Sequence, residues 1–175
     1  MIPTTEAPVT RVVGEGALAA AVAEALTGVR AVAASACIVP PIPPGTPLAE
    51  LSDERLAADV GDTLDSVLVQ VQQECDRLRD GGRLVFVLPH APLLGASGSV
   101  AAAAVAGGLL SMARTLAIEL ARDAVTVNTV AVDGSSPGGS ALSAQLGAFL
   151  GPGGETITGQ EIYLTAGSDL GRLRP

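Results

Sequence analysis

Apolar residues along this chain fall into two kinds of run. Residues 9–13, 30–39, 83–88, 124–132 and 161–165 are short, dense apolar blocks. Blocks of this length suit strands of a parallel sheet that is covered on both faces. Between them the apolar positions recur with a helical period. Ser52 stands as an N-cap with Asp53 and Glu54 in the first turn. Leu56, Val60, Leu64, Val67, Leu68, Val71, Cys75 and Leu78 then follow at spacings of three and four. Further helical patterns cover residues 14–28, which Gly28 can end, residues 98–122, and residues 141–150. The stretch PPIPPGTP, residues 40–47, suits neither a helix interior nor a central strand. Strand alternates with helix, which predicts an α/β, three-layer α/β/α sandwich with a mainly parallel sheet of about five strands. One domain over residues 1–175 is expected, long enough for a sizeable core.

Composition narrows the picture. The chain is 48% hydrophobic but only 2% aromatic, so Ala, Val, Leu and Ile must fill the core. Its net charge is −8 and it has no lysine, which argues against nucleic acid and anionic membrane surfaces as partners. The longest uncharged apolar run, residues 100–113, stops at Arg114, short of a bilayer span. Cys37 and Cys75 have no metal-ligand spacing and read as two reduced thiols in a cytoplasmic protein. The N-terminus lacks the basic start and apolar run of a signal peptide.

Three segments carry a resemblance. GRLVFVLPH precedes GGLLSMARTLAIELARDAVTVNTVAVDG, and ITGQEIYLTAG occupies residues 157–167. Together they resemble the fifth strand, active-site helix, sixth strand and C-terminal strand of the short-chain dehydrogenase/reductase family. The resemblance implies a truncated Rossmann-like fold. It implies NAD(P)-dependent reduction of carbonyls or oxidation of alcohols, the ketoreductase type of chemistry. In that family a tyrosine passes the proton, a lysine one helical turn later supports it, a serine binds the substrate oxygen, and an asparagine completes a relay.

Registered through Arg114, Leu120 and Asn128, the tyrosine position falls on Ala102 and the lysine position on Ala106. The serine position falls on Pro89, and the asparagine position on or near Gly61. Tyr163, in the last predicted strand, is the sole tyrosine. The family's mechanism therefore has no residues to run on, and no catalytic residue is expected.

The cofactor half is similarly reduced. Gly14, Gly16 and Ala19 match G-x-G-x-x-A between a strand and a helix, a turn that can cradle a pyrophosphate. Alone, the turn serves equally for close helix packing. The next strand resembles the family's fourth, with Ala34, Ser35, Ala36 and Cys37 at its Asn-Asn-Ala-Gly positions. Two β–α units, roughly 60 residues, are then missing. After the sixth strand, Val132 and Asp133 replace the family's Pro-Gly turn, and its helical lid is absent.

The resemblance implies an oligomer, because the family's fourth and fifth helices and its last strand contact other subunits. On that basis Val67, Val71, Leu109, Leu110, Met112, Ile162 and Tyr163 are candidate interface residues. The reading that follows is a pseudoenzyme, a structural subunit of a heterodimer or heterotetramer with a full-length active member. NAD(P) would then sit on that partner and none on this chain, while the tail SDLGRLRP could complete the partner's pocket. Two alternatives stay open. One is a homodimeric small-ligand or nucleotide-binding module that uses the GEGALA turn. The other is an enzyme with replaced chemistry around His90, with Asp133, Ser97, Ser99 and Ser111 as possible companions. No metal site is expected.

Overall fold

In a computed structural model of the chain, the described residues are 9–134 and 138–167. Five strands form one parallel sheet in the order β1-β2-β3-β4-β5. They are β1 (Thr10–Val13), β2 (Ser35–Ile38), β3 (Arg83–Pro89), β4 (Thr126–Val132) and β5 (Glu161–Leu164). The helices are α1 (Ala17–Leu26), α2 (Asp53–Leu78), a short α3 (His90–Leu94), α4 (Val100–Glu119) and α5 (Ser140–Leu150).

The expected N-cap is present: the Ser52 hydroxyl accepts a hydrogen bond from the Arg55 amide at 3.2 Å. Residues β-tending in sequence at 30–34 lie outside the sheet, and β2 begins only at Ser35. They connect α1 to β2, with the Val32 amide bonded to the Leu150 carbonyl at the end of α5. The helical pattern over residues 98–122 also shortens, because α4 tightens into a 3₁₀ turn over Leu120–Asp123.

The sheet has a core on each face. α2 and α4 cover one, where Val67, Val71, Phe86, Leu88 and Leu109 interlock. α1 and α5 cover the other, where Val22, Val85, Val87, Leu146 and Phe149 meet. The 24-residue stretch Val100–Asp123 is apolar and long enough to cross a membrane by composition alone. Its inner side instead packs into the first of these cores, through Val105, Leu109, Ala113 and Ala117.

All four crossovers step the same way across the sheet, yet they use both faces. Two of them must therefore have the left hand, against a rule of about 98% right-handed connections. The α1 crossover has the opposite hand to the α2 crossover. A chain that left β1 outward over the α1 face, and later returned across the sheet to β2, would give both the same hand. Two absent β–α units beyond β1 would make that arrangement.

Candidate functional site

Ligands of open α/β sheets bind beyond the carboxyl ends of the strands, where the strand order reverses. Here the carboxyl ends of β1, β2 and β3 do border a cavity of about 290 Å³, lined by Glu15, Leu18, Val39, Pro41, Ile42 and Pro89 among others. Among the described residues the strand order never reverses, however, because β1 is the sheet's outer edge.

Gly14 has φ +135°, and a Cβ there would lie 2.1 Å from the Val39 carbonyl oxygen. Gly14 is thus glycine because the turn presses against the end of β2. Gly16, at φ +90°, caps α1 without a side chain, and a Cβ on it would meet nothing within 4 Å. Ala19 is buried in the core beneath α1. Of the three candidate cofactor residues, only Gly16 opens onto free space.

A phosphate fits that helix end in principle. The surroundings do not extend it to a dinucleotide. The turn carries the Glu15 carboxylate, and among the described residues no cation lines the cavity and no strand lies beyond β1 to hold an adenosine. The residues present do not fit a nicotinamide dinucleotide held in the family's manner.

The structure corrects one register. Residues 34–37 were matched to the end of a strand, but Ser35 pairs with Thr10 and Arg83 at the start of theirs. Ser35, Ala36 and Cys37 are completely buried within β2, and none of them lines the cavity. The segment facing the cavity is Val39–Pro41, because β1, β2 and β3 run level and β2 reaches its carboxyl end at Ile38. Burial pushes the Cys37 thiol up to about 12.

The positions registered on the family's tyrosine and lysine are closed from solvent. Ala102 is 4% exposed and Ala106 is fully buried, and neither lines the cavity. Pro89 ends β3 at its rim. Gly61 sits half-buried on α2, with nothing within 4 Å of where a Cβ would be.

His90 lies at the start of α3, and its Nδ1 is 3.1 Å from the Val132 carbonyl. That bond requires a proton on Nδ1, so the ring bridges the ends of β3 and β4. No hydrogen bond joins Ser97, Ser99 or Ser111 to this histidine, and Ser111 is on the exposed side of α4. Among the described residues, no three His, Cys, Asp or Glu side chains gather to hold a metal ion.

A second cavity, about 390 Å³, lies beyond β4 and β5, lined by Val132, Asp133, Ala141, Leu142, Tyr163 and Thr165 among others. Sequence reasoning did not point to it.

The predicted interface residues divide. Val67, Val71 and Leu109 face the sheet and are at most 2% exposed, so they have no surface to offer a partner. Helical spacing identified their stripe but not what it faces. Leu110 and Met112 are half-buried. Ile162 packs partly into the second core, and the Tyr163 hydroxyl donates to Glu161 Oε1 at 2.5 Å. The apolar side chains that reach solvent on α2 and α4 are Leu68, Val69, Val100 and Ile118. The tail SDLGRLRP lies outside the described residues.

The parallel sheet, its two helical layers and the glycine turn define a Rossmann-like α/β protein. A family model described as enoyl-(acyl carrier protein) reductase matches residues 7–136, and the chain belongs to the short-chain dehydrogenase/reductase family. Solved structures share the fold at low identity. A short-chain dehydrogenase/reductase from Serratia marcescens matches at TM-score 0.72 and 16% identity, covering 93% of this chain and 98% of that one. One from Mycobacterium ulcerans matches at 0.73 and 13%, covering 93% and 90%. An acetoin dehydrogenase from Salmonella typhimurium matches at 0.68 and 17%, covering 79% of this chain and 65% of that one. Against this last relative the chain spans just under two thirds of the length. No curated protein matches the sequence.

Proposed function

We propose that this chain is a non-catalytic member of its family that pairs with a full-length, active NAD(P)-dependent short-chain dehydrogenase/reductase. It stabilises that subunit or shapes its site, and the partner carries both the cofactor and the oxidation or reduction of a carbonyl or alcohol group. The observation that carries this reading is the pair Ala102 and Ala106. Both are buried where the family holds its proton donor and lysine, so the helix is kept as a packing element. Alanine at such positions also leaves no buried polar group without a partner. Exposed Leu68, Val69 and Ile118 supply apolar surface that a contact would cover.

Co-expression with a full-length family member encoded beside it tests the role. The expected result is one co-eluting complex, with the active subunit less soluble or less active alone. Separate elution, with a soluble and fully active dehydrogenase, sinks it.

The cavity of about 390 Å³ favours one other reading, a small-ligand module. Calorimetry with NADH, NADPH and adenine nucleotides separates the two. Saturable binding to this chain alone supports the module, and the pairing role predicts none.

A further inference from the structure

We propose that the outer face of α2 and α4 docks a helical surface bearing arginine or lysine, and that its charge rejects a second copy of this chain. The inference rests on the pairing role above and specifies the partner's chemistry.

Two stripes run along the outside of α2. One, beside α4, is apolar: Gly61, Leu64, Leu68 and Cys75 recur at helical spacing, and Leu68 is 42% exposed. Gly108 of α4 lies against Leu64, where an added Cβ would come within 3.4 Å. The neighbouring part of α4 is low and neutral, with Ala104, Gly107 and Ser111 exposed. The other stripe is Asp62, Asp65, Val69, Gln72 and Asp76, again at spacings of three and four, and all five are exposed. An apolar strip with an acidic border suits a contact whose other half is apolar with a basic border.

A second copy supplies that border poorly. Every arginine on these helices and at the end of α2 is already engaged within the chain. Arg55 pairs with Asp59, Arg77 with Glu74, Arg79 with Asp76, and Arg114 with Glu161. Asp62 and Asp65 have no ion pair. A two-fold contact through this face would bring these two carboxylates and their copies into one interface, and among the described residues on or beside these helices only Arg122, in the 3₁₀ turn after α4, is an arginine without an ion pair.

The test has two arms. Sedimentation velocity of the purified chain should show no dimer through this face at low ionic strength. The double variant D62N/D65N should self-associate more strongly. In the co-purified complex, the same variant should weaken binding by about five- to tenfold at low salt. That difference should vanish near 1 M salt, where screening acts over about 3 Å. Glu24→Gln, on the opposite face, should change neither arm.

A wild-type dimer that Leu68→Asp dissociates overturns the proposal. So does a complex indifferent to both D62N/D65N and salt, which would leave the pairing role itself standing. Failure of the full-length member to bind at all overturns the pairing role, and this partner with it.

Discussion

Ala102 and Ala106 lie one turn apart on α4, both turned into the protein and closed from solvent. Restoring the family's side chains there should not restore chemistry. The cavity beside β3 does not reach either position, so a new tyrosine hydroxyl would have no substrate to meet. Each large side chain would instead overpack the layer, at a cost of about 1–3 kcal/mol. A lysine at 106 adds the desolvation of its charge. A102Y and A106K, singly or together, should lower the urea midpoint while NADPH oxidation with carbonyl substrates stays at the blank rate. Turnover in the double variant would show that the cleft is intact after all.

That α4 holds neither a tyrosine nor a lysine was legible in the sequence, and the register through Arg114, Leu120 and Asn128 is what assigns Ala102 and Ala106 to those two places. The layered fold was legible too, since dense five- to ten-residue apolar blocks have few uses outside a covered parallel sheet. What sequence spacing could not supply was direction. Val67, Val71 and Leu109 repeat with a helical period, but that period is the same whether a stripe faces its own sheet or a partner. The end of β2 was misplaced for a related reason. Residues 31–39 are apolar but for Ser35, and no breaker among them marks where the connection ends and the strand begins. The two left-handed crossovers needed the order of strands and the face of each helix, neither of which a local pattern contains.

The glycine turn separates packing from binding at adjacent positions. At Gly14 an alanine Cβ would overlap the Val39 carbonyl, in a backbone region that L-residues avoid. Gly14→Ala should cost about 3 kcal/mol or more, as expected when strain is combined with a steric clash. At Gly16 the space is open, and alanine meets only the penalty of a positive φ, roughly 1–2 kcal/mol. Chemical denaturation of the two variants checks the order. Equal losses would mean that the turn does not press on β2 as described.

Glu74 ties the exposed edge of the sheet to α2. Its carboxylate is nearly buried and accepts from Arg77 Nε at 2.7 Å and Arg11 Nη1 at 3.2 Å. Arg77 also donates to the carbonyls of Val9 and Ser35, at the start of β1 and β2. Removing the carboxylate leaves a partly buried guanidinium without its counter-charge, so Glu74→Gln should cost about 2–4 kcal/mol. Arg11 is more than half exposed, and Arg11→Ala should cost well under 1 kcal/mol. Hydrogen exchange should quicken first at β1 in the glutamine variant. A loss spread evenly over the sheet would argue against a tether at this edge.

Cys37 gives the fold an alkaline limit. Its thiol is raised by burial from 9 to about 12, whereas in the unfolded chain it ionises near 9. Below pH 9 both states hold the proton and the group contributes no pH dependence. Between about pH 9 and 12 the unfolded chain releases the proton and the folded protein keeps it, so stability falls as pH rises. Three pKa units at about 1.4 kcal/mol each set the loss at roughly 4 kcal/mol across that window. Cys75, half-buried with a thiol raised by burial and by Asp76, should add a smaller loss of the same sign. Urea unfolding from pH 8 to 11, compared with Cys37→Ala, isolates the first contribution. The wild type should lose stability more steeply than the variant above pH 9, and a maleimide should label Cys37 only at the rate of unfolding. Rapid labelling of Cys37 in the folded protein, or parallel pH curves, would mean that α1 and α5 do not seal the sheet over β2.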